Sequence, residues 1–273
     1  MQINSTKSDT ATVTCGVPQG SVLGPLLFII YCNDLPNCLK HTHAILFADD
    51  TTVYLSSHQI DNLYATMNGD LEILTDWFYA NKLSLNVQKT NYMLFSKREQ
   101  QGNHTRDLSI GNNKITRKNC VKFLGLLIDD QLSWGEHIES CLSKIAKSLY
   151  CIRMGKNLLP RGNLRILYFA LIQPYLEYGI TLWGSTHNSY LKKLTIIQKK
   201  ALRVISHSKY NEHTHPIFAS LKILKLDDLY RLHIGKYMYL INHRLAPEPL
   251  LKYFTYNQNF HNYNTRQALD FHI

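Results

Sequence analysis

Two adjacent aspartates, Asp49 and Asp50, are the residues of this chain whose types and spacing are best suited to chemistry. They lie between two runs that favour β-strands, residues 44–48 and 51–55, and this arrangement predicts a hairpin with the pair at its tip. Neighbouring negative charges repel each other. A divalent cation relieves that repulsion, because Mg²⁺ binds carboxylate oxygens while keeping water and phosphate as its other ligands. Aspartates are also common in solvated turns, so the pair alone leaves a structural interpretation open.

A second candidate is the segment GVPQGSVLGP at residues 16–25, upstream of the aspartates. Its glycines allow the backbone to approach a ligand closely, and Pro18 fixes one backbone dihedral of the loop. Gln19 offers a donor and an acceptor that suit the edge of a base or a sugar. The alternative is an ordinary loop before a core helix, because the apolar residues 21–31 predict a buried helix there.

The elements that must position these residues form a mixed first half. Apolar residues recur at spacings of three and four over residues 60–78, which predicts an amphipathic helix. Single strands are predicted at residues 11–14, 92–96 and 121–128, and a hairpin is predicted over residues 108–116. The predicted fold class is α+β, because a helical second half follows from about residue 134.

The second half contains one apolar stripe from Trp134 to Ile152, an apolar stretch from Pro160 to about residue 183, and a last helical region over residues 226–245. A helix over residues 191–205 carries five basic residues on the face opposite its apolar stripe, namely Lys192, Lys193, Lys199, Lys200 and Arg203. This basic face is either a nucleic-acid contact or an ordinary solvated surface. The change of pattern predicts two domains, residues 1–133 and 134–273.

The composition limits the class of protein. The formal net charge is +10, with 30 Lys and Arg against 20 Asp and Glu. Such an excess suits a polyanion, because each neutralised phosphate releases counterions, although an ordinary basic enzyme has the same balance. The 45% share of hydrophobic residues excludes a disordered chain. We expect an intracellular protein, nuclear or cytoplasmic and without a membrane span, because the six cysteines form no C-x-x-C pair and every apolar run is too short. His213 and His215 have no further zinc ligand at suitable spacing.

The loop and the aspartates together resemble a known family. Residues 16–28, followed by NDLP at residues 33–36, resemble motif B of the reverse transcriptases of non-LTR retrotransposons of the jockey and CR1 type. FADD at residues 47–50 is similar to motif C of the same enzymes, in the same order and at a matching separation. This combination is highly specific, whereas either segment alone is not.

The resemblance continues along nearly the whole chain. Residues 83–95 resemble motif D, and residues 123–134 resemble motif E, the primer-grip region. QPYLEYG at residues 173–179, Trp183-Gly184 and QKKALR at residues 198–203 resemble the segment that follows motif E in jockey- and CR1-like elements. The implied fold is a partial polymerase palm, an antiparallel sheet with helices, followed by an all-helical thumb-like domain.

The family implies an RNA-directed DNA polymerase that adds deoxynucleotides from their triphosphates to a DNA primer on an RNA template. The reaction uses two Mg²⁺ ions, and Mn²⁺ is a possible substitute. Asp49 would bind metal with Asp50 assisting. Lys89 would lie near the triphosphate and protonate the leaving pyrophosphate, unless it is a solvated lysine closing a turn.

Three further groups take roles by the same resemblance. Pro18, Gln19 and Gly20 would lie near the templating pair and the incoming nucleotide. The primer end would be positioned by a second group, comprising Phe123, Leu124 and Gly125. The basic face of residues 192–203 would contact the nucleic-acid backbone.

One part of the family pattern is missing. A third catalytic aspartate, in motif A, should lie upstream of motif B on a strand beside the motif C hairpin. The only acidic residue before Gly16 is Asp9, in a polar context. We therefore expect a chain truncated within the palm, without fingers, which exposes sheet edges and apolar faces and has little or no polymerase activity alone. Neither an endonuclease nor an RNase H domain is recognisable.

Two other functions remain as alternatives. The first is a non-catalytic nucleic-acid-binding protein derived from such an element, which would use the basic helical half and leave Asp49 and Asp50 idle. The second is another palm enzyme such as a nucleotide cyclase, which the motif B segment and the helical second half disfavour. Residues 253–273 contain no recognisable motif, and the oligomeric state is left open.

Overall fold

The computed structural model describes residues 2–3, 6–7, 16–18, 20–96 and 107–256. The chain divides into two compact units: unit 1 comprises Met1–Leu94 and Arg98–Lys118, and unit 2 comprises Phe95–Lys97 and Asn119–Ile273. The mixture of helices and small sheets agrees with the predicted α+β class. The predicted strand at residues 11–14 lies outside the described residues.

Unit 1 is built from short strands and three helices, as far as its described residues extend. Its elements are β1 (Gln2–Ile3), β2 (Thr6–Lys7), α1 (Leu23–Tyr31), α2 (Leu35–Cys38), β3 (His43–Phe47), β4 (Asp50–Tyr54), α3 (Ile60–Ala80), β5 (Asn91–Tyr92), β6 (Ser109–Ile110), β7 (Asn113–Lys114) and β8 (Thr116–Arg117). Consecutive strands pair antiparallel as β1–β2, β3–β4 and β6–β7, while β5 and β8 pair in parallel. The predicted strand over residues 92–96 is wrong beyond Tyr92, since only Asn91–Tyr92 form a ladder.

The core of unit 1 lies along α3. The amphipathic helix predicted over residues 60–78 is confirmed, and its apolar stripe buries Leu71 and Leu74. The predicted hairpin around Gly111 is also confirmed, and its Ile110 side chain packs into the same core. Period-2 and period-3.6 patterns therefore identified these elements correctly.

The helix α1 is a correction, because the sequence predicted it to be buried. All nine residues of α1 are described, and none of them is buried. Ile29 and Ile30 expose 60% and 63% of their surface. A helix that is apolar on nearly every side needs neighbours on several sides, and the described residues of unit 1 do not cover it.

Unit 2 begins with two strands and continues as a helical assembly. Its elements are β9 (Cys120–Phe123), β10 (Leu126–Asp129), α4 (Gly135–Gly155), α5 (Arg161–Leu171), α6 (Gln173–Glu177), α7 (Ile180–Trp183), α8 (Asn188–Ile205), α9 (His215–Leu221), α10 (Leu226–Asn242) and α11 (Glu248–Leu251). The helices predicted from Trp134, Leu191 and Leu226 are confirmed. The apolar stretch predicted from Pro160 to about residue 183 forms three helices, α5, α6 and α7, and α9 and α11 were not predicted.

The core of unit 2 is extensive and largely apolar. α4 packs on α8, and Ile138, Ile145 and Ile152 on the predicted stripe of α4 have no exposed surface. Trp183 of α7 and Tyr168 of α5 are also fully buried. The Tyr168 hydroxyl accepts a hydrogen bond of 2.9 Å from the side chain of Gln198. Gln198 also donates to the Leu224 carbonyl at 2.9 Å and accepts from the Leu226 N–H at 3.2 Å, so this buried amide is paired, as a low-dielectric interior requires. The buried Oε1 atom of Gln173 has no hydrogen-bond partner among the described residues.

The single strand predicted over residues 121–128 is wrong, because this segment is the antiparallel hairpin β9–β10. Its two turn residues, Leu124 and Gly125, have φ values of 45° and 91°. Two consecutive positive φ values match the twist of a two-residue hairpin turn, and Gly125 is the signal that the apolar run concealed. Leu126 packs into the helical core, so this hairpin belongs to the compact unit that contains Asn119–Ile273.

No helix in the described ranges is both long and apolar enough to cross a lipid bilayer. The described cysteines are free thiols: Cys32, Cys38, Cys120, Cys141 and Cys151.

Candidate functional site

The predicted aspartate hairpin is confirmed as a fold element. Phe47 pairs with Asp50 across the ladder, so the turn consists of Ala48 and Asp49, and Asp50 is the first residue of β4. Both aspartates are exposed. Ala48 has a φ of 51°, a region that residues with a Cβ rarely adopt. The ladder therefore holds a strained turn that carries two negative charges at its tip.

Asp70 anchors the chain where it enters this hairpin. Its Oδ2 atom accepts hydrogen bonds from the backbone N–H of His41 at 2.9 Å, and from the N–H and hydroxyl of Thr42 at 2.7 and 2.8 Å. The residue is only 2% exposed. Burial alone would raise the pKa of this carboxyl, but the hydrogen bonds outweigh it and hold the pKa below the ordinary value. Asp70 thus ties α3 to the residues that precede β3.

Sequence reasoning missed Asp70. The available signal was its position, since a carboxylate next to Leu71 and three residues after Met67 falls on the apolar side of a predicted helix. A charge in that place is stable only when donors surround it.

The two faces of the hairpin differ in burial. Ala44, Leu46 and Val53 pack against the core of unit 1. On the opposite face Ile45 and Phe47 expose 47% and 61% of their surface. The aspartates therefore extend from a hairpin that is supported on one side only.

The carboxylates suit a divalent ion by donor type but not by number. Asp49 and Asp50 offer the oxygen ligands that Mg²⁺ or Mn²⁺ prefers. Within the described residues, however, no group of three or more His, Cys, Asp or Glu side chains could hold a metal. Asp9 lies outside the described residues. The donors seen here fit one hydrated ion and not the pair of ions that nucleotidyl transfer uses.

The glycine-rich loop is folded onto the start of α1. The carbonyl of Pro18 accepts a hydrogen bond of 3.1 Å from the N–H of Ser21, whose hydroxyl accepts one of 3.1 Å from Gly24. Gly20 has a φ of 86°, which explains why glycine occupies that position. Gln19 lies outside the described residues, so its expected role near a nucleotide stays a prediction.

Lys89 lies in a separate turn of unit 1. Its N–H donates to the carbonyl and to the side-chain oxygen of Asn86, at 3.1 and 3.2 Å, and its side chain is exposed. The residues just before it line an open cleft of about 800 Å³, together with Asn113, Lys114 and Thr116. The turn is thus well defined, while the role of Lys89 toward a triphosphate stays a prediction.

In unit 2 the structure joins two segments that the sequence singled out separately. The hydroxyl of Tyr178 donates a hydrogen bond to the carbonyl of Leu124, at the tip of the β9–β10 hairpin. A Cβ added to Gly125 would lie 3.3 Å from the Tyr178 ring, and one added to Gly179 would lie 2.8 Å from Leu126. The predicted primer-grip tip is therefore fastened to the link between α6 and α7.

A second device connects this hairpin to α4. Asp129, at the end of β10, accepts hydrogen bonds from the N–H groups of Ser133 at 2.9 Å and Trp134 at 2.7 Å. Burial raises the pKa of Asp129, but these bonds outweigh it and leave the pKa below its ordinary value. His137 accepts a bond of 3.3 Å from the N–H of Leu127 through its Nδ1 atom. The β9–β10 hairpin is thus bonded to the link between α6 and α7 through Tyr178, and to α4 through Asp129 and His137.

The five basic residues of α8 are not equivalent. Lys192, Lys193 and Lys200 are exposed, whereas Lys199 and Arg203 are half-buried. Lys193 forms an ion pair with Glu139 of α4. Arg203 donates two hydrogen bonds of 3.0 Å to the carbonyl of Glu212. Two of the five predicted backbone contacts therefore already have a partner within the chain.

The net charge is concentrated in one part of the chain. Residues 1–118 contain ten Lys and Arg and ten Asp and Glu, whereas residues 119–273 contain 20 Lys and Arg and ten Asp and Glu. The whole formal charge of +10 therefore arises after residue 118. A polyanion would be attracted to unit 2 and not to unit 1.

Comparison with known proteins agrees with the resemblance. Residues 1–128 match the family model described as reverse transcriptase (RNA-dependent DNA polymerase). The chain is related to the reverse transcriptases of non-LTR retrotransposons. The matched residues include the aspartate hairpin, Lys89 and the tip of the β9–β10 hairpin, while the basic helix α8 lies beyond them.

Individual relatives extend the similarity into unit 2. The RNA-directed DNA polymerase from mobile element jockey of Drosophila melanogaster is 28% identical over 89% of this chain and 27% of its own length. The probable RNA-directed DNA polymerase from transposon X-element of the same organism is 25% identical over 87% of this chain and 26% of its own length. The chain thus spans about a quarter of the length of these relatives.

A third relative matches a smaller part of this chain. The retrovirus-related Pol polyprotein from type-1 retrotransposable element R1 of Bradysia coprophila is 27% identical over 64% of this chain and 18% of its own length. No solved structure matches the chain at a significant level.

Proposed function

We propose that this chain is part of an RNA-directed DNA polymerase, which transfers deoxynucleotides to a primer 3′ end on an RNA template. The observation that carries the proposal is the exposed pair Asp49 and Asp50 at the tip of an antiparallel hairpin inside the matched region. Residues 1–133 would form part of the palm and residues 134–273 the thumb-like region. Two relatives are named as RNA-directed DNA polymerases, one of them as a probable one, and each of those proteins is much longer than this chain.

The roles follow from the chemistry of the side chains. Asp49 and Asp50 would bind a divalent ion, Mg²⁺ or Mn²⁺, and such an ion activates the attacking oxygen and stabilises the leaving pyrophosphate. Pro18, Gln19 and Gly20 would lie along the template and the nucleotide, and Lys89 would neutralise phosphate charge.

Two elements of unit 2 would hold the nucleic acid. The tip formed by Phe123, Leu124 and Gly125 would position the primer end, with Tyr178 keeping that tip in place. The lysines on the basic side of α8 would contact the phosphate backbone, because the charge of unit 2 attracts a polyanion.

The proposal includes a limit on the isolated chain. Two neighbouring carboxylates do not provide ligands for two ions, and misplaced reacting groups reduce the rate by orders of magnitude. Residues 1–273 alone should therefore bind a divalent ion weakly and incorporate no nucleotide.

Metal binding at the hairpin is tested by Mn²⁺-dependent broadening of backbone NMR signals. Broadening is expected around residues 47–51, and Asp49→Asn with Asp50→Asn should abolish it. The matched control removes two other exposed carboxylates of unit 1, by Glu72→Gln with Asp76→Asn, and should leave the broadening unchanged. Equal broadening in the hairpin variant would contradict the metal site.

Activity is tested by primer extension on an RNA template with Mg²⁺ or Mn²⁺. No extension by residues 1–273 is the expected result. If residues 1–273 extend the primer and Asp49→Asn abolishes the extension, the polymerase proposal stands and the predicted inactivity of the isolated chain is wrong. Extension that survives Asp49→Asn with Asp50→Asn would contradict the assigned site.

A second candidate function is supported by the charge distribution. The chain would then be a nucleic-acid-binding protein derived from a retroelement, acting through unit 2 without catalysis. Salt-dependent RNA or DNA binding that is unchanged by Asp49→Asn with Asp50→Asn, together with no nucleotide incorporation, would favour this function.

A further inference from the structure

The segment after α8 forms an ordered loop, residues 206–213, here called the Tyr210 loop. Both guanidinium bonds of Arg203 reach the carbonyl of Glu212, so the last turn of α8 holds the far end of the loop. Lys209 and Glu212 bond in both directions: the N–H of Glu212 donates to the Lys209 carbonyl at 3.2 Å, and the Lys209 N–H donates to the Glu212 carboxylate at 3.2 Å. Several independent bonds thus fix the loop against α8.

This loop presents an aromatic ring to solvent. Tyr210 exposes 82% of its surface, although tyrosine rings ordinarily bury most of their apolar area. The bonds of Arg203 and Glu212 stabilise the backbone around Tyr210 without covering its ring. An ordered loop that exposes a flat aromatic side chain provides a platform on which another flat group can stack.

The surroundings of Tyr210 are basic. The helix α8, Asn188–Ile205, contains five Lys and Arg and no Asp or Glu. Lys199 and Lys200 lie one turn before Arg203, and Lys209 directly precedes Tyr210. The exposed carboxylate of the loop, Glu212, is engaged by the N–H of Lys209. The ligand that this combination fits is negatively charged and carries flat aromatic groups.

Single-stranded nucleic acid has both properties in accessible form. Its bases have free faces that stack on aromatic side chains irrespective of sequence, while lysines follow the phosphates. In a duplex the bases are already stacked on each other, so only the phosphates of a duplex can contact this surface.

We propose that Tyr210 stacks on a base of single-stranded RNA or DNA, that Lys199 and Lys200 contact its phosphates, and that Arg203 is a positioning residue. Arg203 holds the loop through Glu212 instead of contacting phosphate. The inference deepens the proposed nucleic-acid contact of α8 and rests on that part of the proposed function. It does not depend on the metal hairpin, on incorporation or on a bound nucleotide.

The test measures binding of residues 1–273 to a labelled single-stranded RNA and to an RNA duplex of the same sequence, by fluorescence anisotropy without nucleotide. Tyr210→Ala should weaken single-strand binding by about 5- to 100-fold, with duplex binding changed by less than about twofold. Tyr210→Phe should bind like the unchanged chain, because it keeps the ring. Tyr253→Ala is the matched control, since Tyr253 is also 82% exposed in unit 2, and it should have no effect.

The salt dependence separates stacking from charge. Lys199→Gln with Lys200→Gln should reduce the slope of log affinity against log salt by roughly 1.4 for single strands, whereas Tyr210→Ala should leave the slope unchanged. Arg203→Lys keeps the charge but loses the two-bond grip on Glu212. Arg203→Lys should therefore lower the affinity for single strands without changing the slope of log affinity against log salt. Combined with Tyr210→Ala, it should cause no further loss of affinity.

Several outcomes would overturn the inference. If Tyr210→Ala binds single-stranded RNA as tightly as Tyr253→Ala does, Tyr210 does not stack on a base. If Tyr210→Ala loses affinity equally for the single strand and the duplex, the substitution has a general effect on unit 2. An Arg203→Lys effect that adds to that of Tyr210→Ala shows a direct phosphate contact. Asp49→Asn with Asp50→Asn should change none of these affinities, so failure of the metal hairpin and failure of the Tyr210 loop are distinguishable.

Discussion

The helices α1 and α4 illustrate how differently the two units cover their apolar residues. α1 of unit 1 has the sequence LGPLLFIIY and buries none of its described residues, whereas α4 of unit 2 buries a continuous stripe. α4 is the more polar helix, with charged residues on its outer side. Burial therefore depends on whether neighbouring elements provide a complementary surface and not on how apolar a helix is.

The same two units differ in charge and in candidate chemistry. Unit 1 carries the aspartate hairpin on a thin core. Residues 1–118 contribute no net charge, while residues after 118 contribute the whole excess of Lys and Arg. Candidate metal chemistry therefore lies in the sparsely packed unit, and candidate nucleic-acid binding lies in the densely packed one. Three predictions test this contrast.

The largest expected effect separates the two helices directly. Ile145→Ala in α4 should lower the free energy of unfolding by about 3 kcal/mol, because it leaves a cavity in a fully buried site. Ile30→Ala in α1 should change it by less than about 0.5 kcal/mol, since that side chain is 63% exposed. Urea unfolding of both variants measures the difference, and equal losses would mean that α1 is covered in solution.

A smaller effect is expected from the polar anchor of unit 1. Asp70→Asn should lower the free energy of unfolding by about 2 kcal/mol at neutral pH, because it removes a charged acceptor of three hydrogen bonds. The folded pKa of Asp70 lies below its ordinary value of 3.8, so its contribution is fully present above that pH and is lost as the pH falls through the folded pKa.

The stability difference between Asp70→Asn and the unchanged chain should therefore shrink in acid. Urea unfolding from neutral pH to below about pH 4 follows it. Asp76→Asn, an exposed carboxylate on the same helix, is the control and should show no such trend. A difference independent of pH would exclude the charge of Asp70 as the cause.

The smallest expected effects are the changes in the free energy of unfolding caused by Gly→Ala at two positions, and these changes have opposite signs. Gly179→Ala in unit 2 should destabilise by roughly 1–2 kcal/mol, because φ is +67° and the new Cβ would lie 2.8 Å from Leu126. Gly69→Ala in α3 of unit 1 should stabilise by roughly 0.5–1 kcal/mol, because apart from its chain neighbours and the backbone of α3 itself no atom lies within 4 Å of the new Cβ. Thermal unfolding measures both, and a loss at Gly69 would show tighter packing of unit 1 than the structure shows.

Much of the fold could be predicted from local pattern. The stripes of α3, α4 and α8 and the aspartate hairpin follow from spacings of three and four and from β-favouring runs, because side chains on one face share one environment. The hairpin at residues 120–129 could not be read the same way. Its apolar run continues through the turn, and only the positive φ of Leu124 and Gly125 reverses the chain.

The candidate site divides along the same line. The sequence by itself determined the family resemblance, the adjacent aspartates and the basic face of α8, because these depend on residue types at short spacings. Only the tertiary structure decided that Asp70 anchors the hairpin, that Tyr178 fastens the Leu124 tip and that Arg203 holds the Tyr210 loop. Each of these contacts joins residues whose pairing depends on how the chain folds back, and neither composition nor periodicity contains that information.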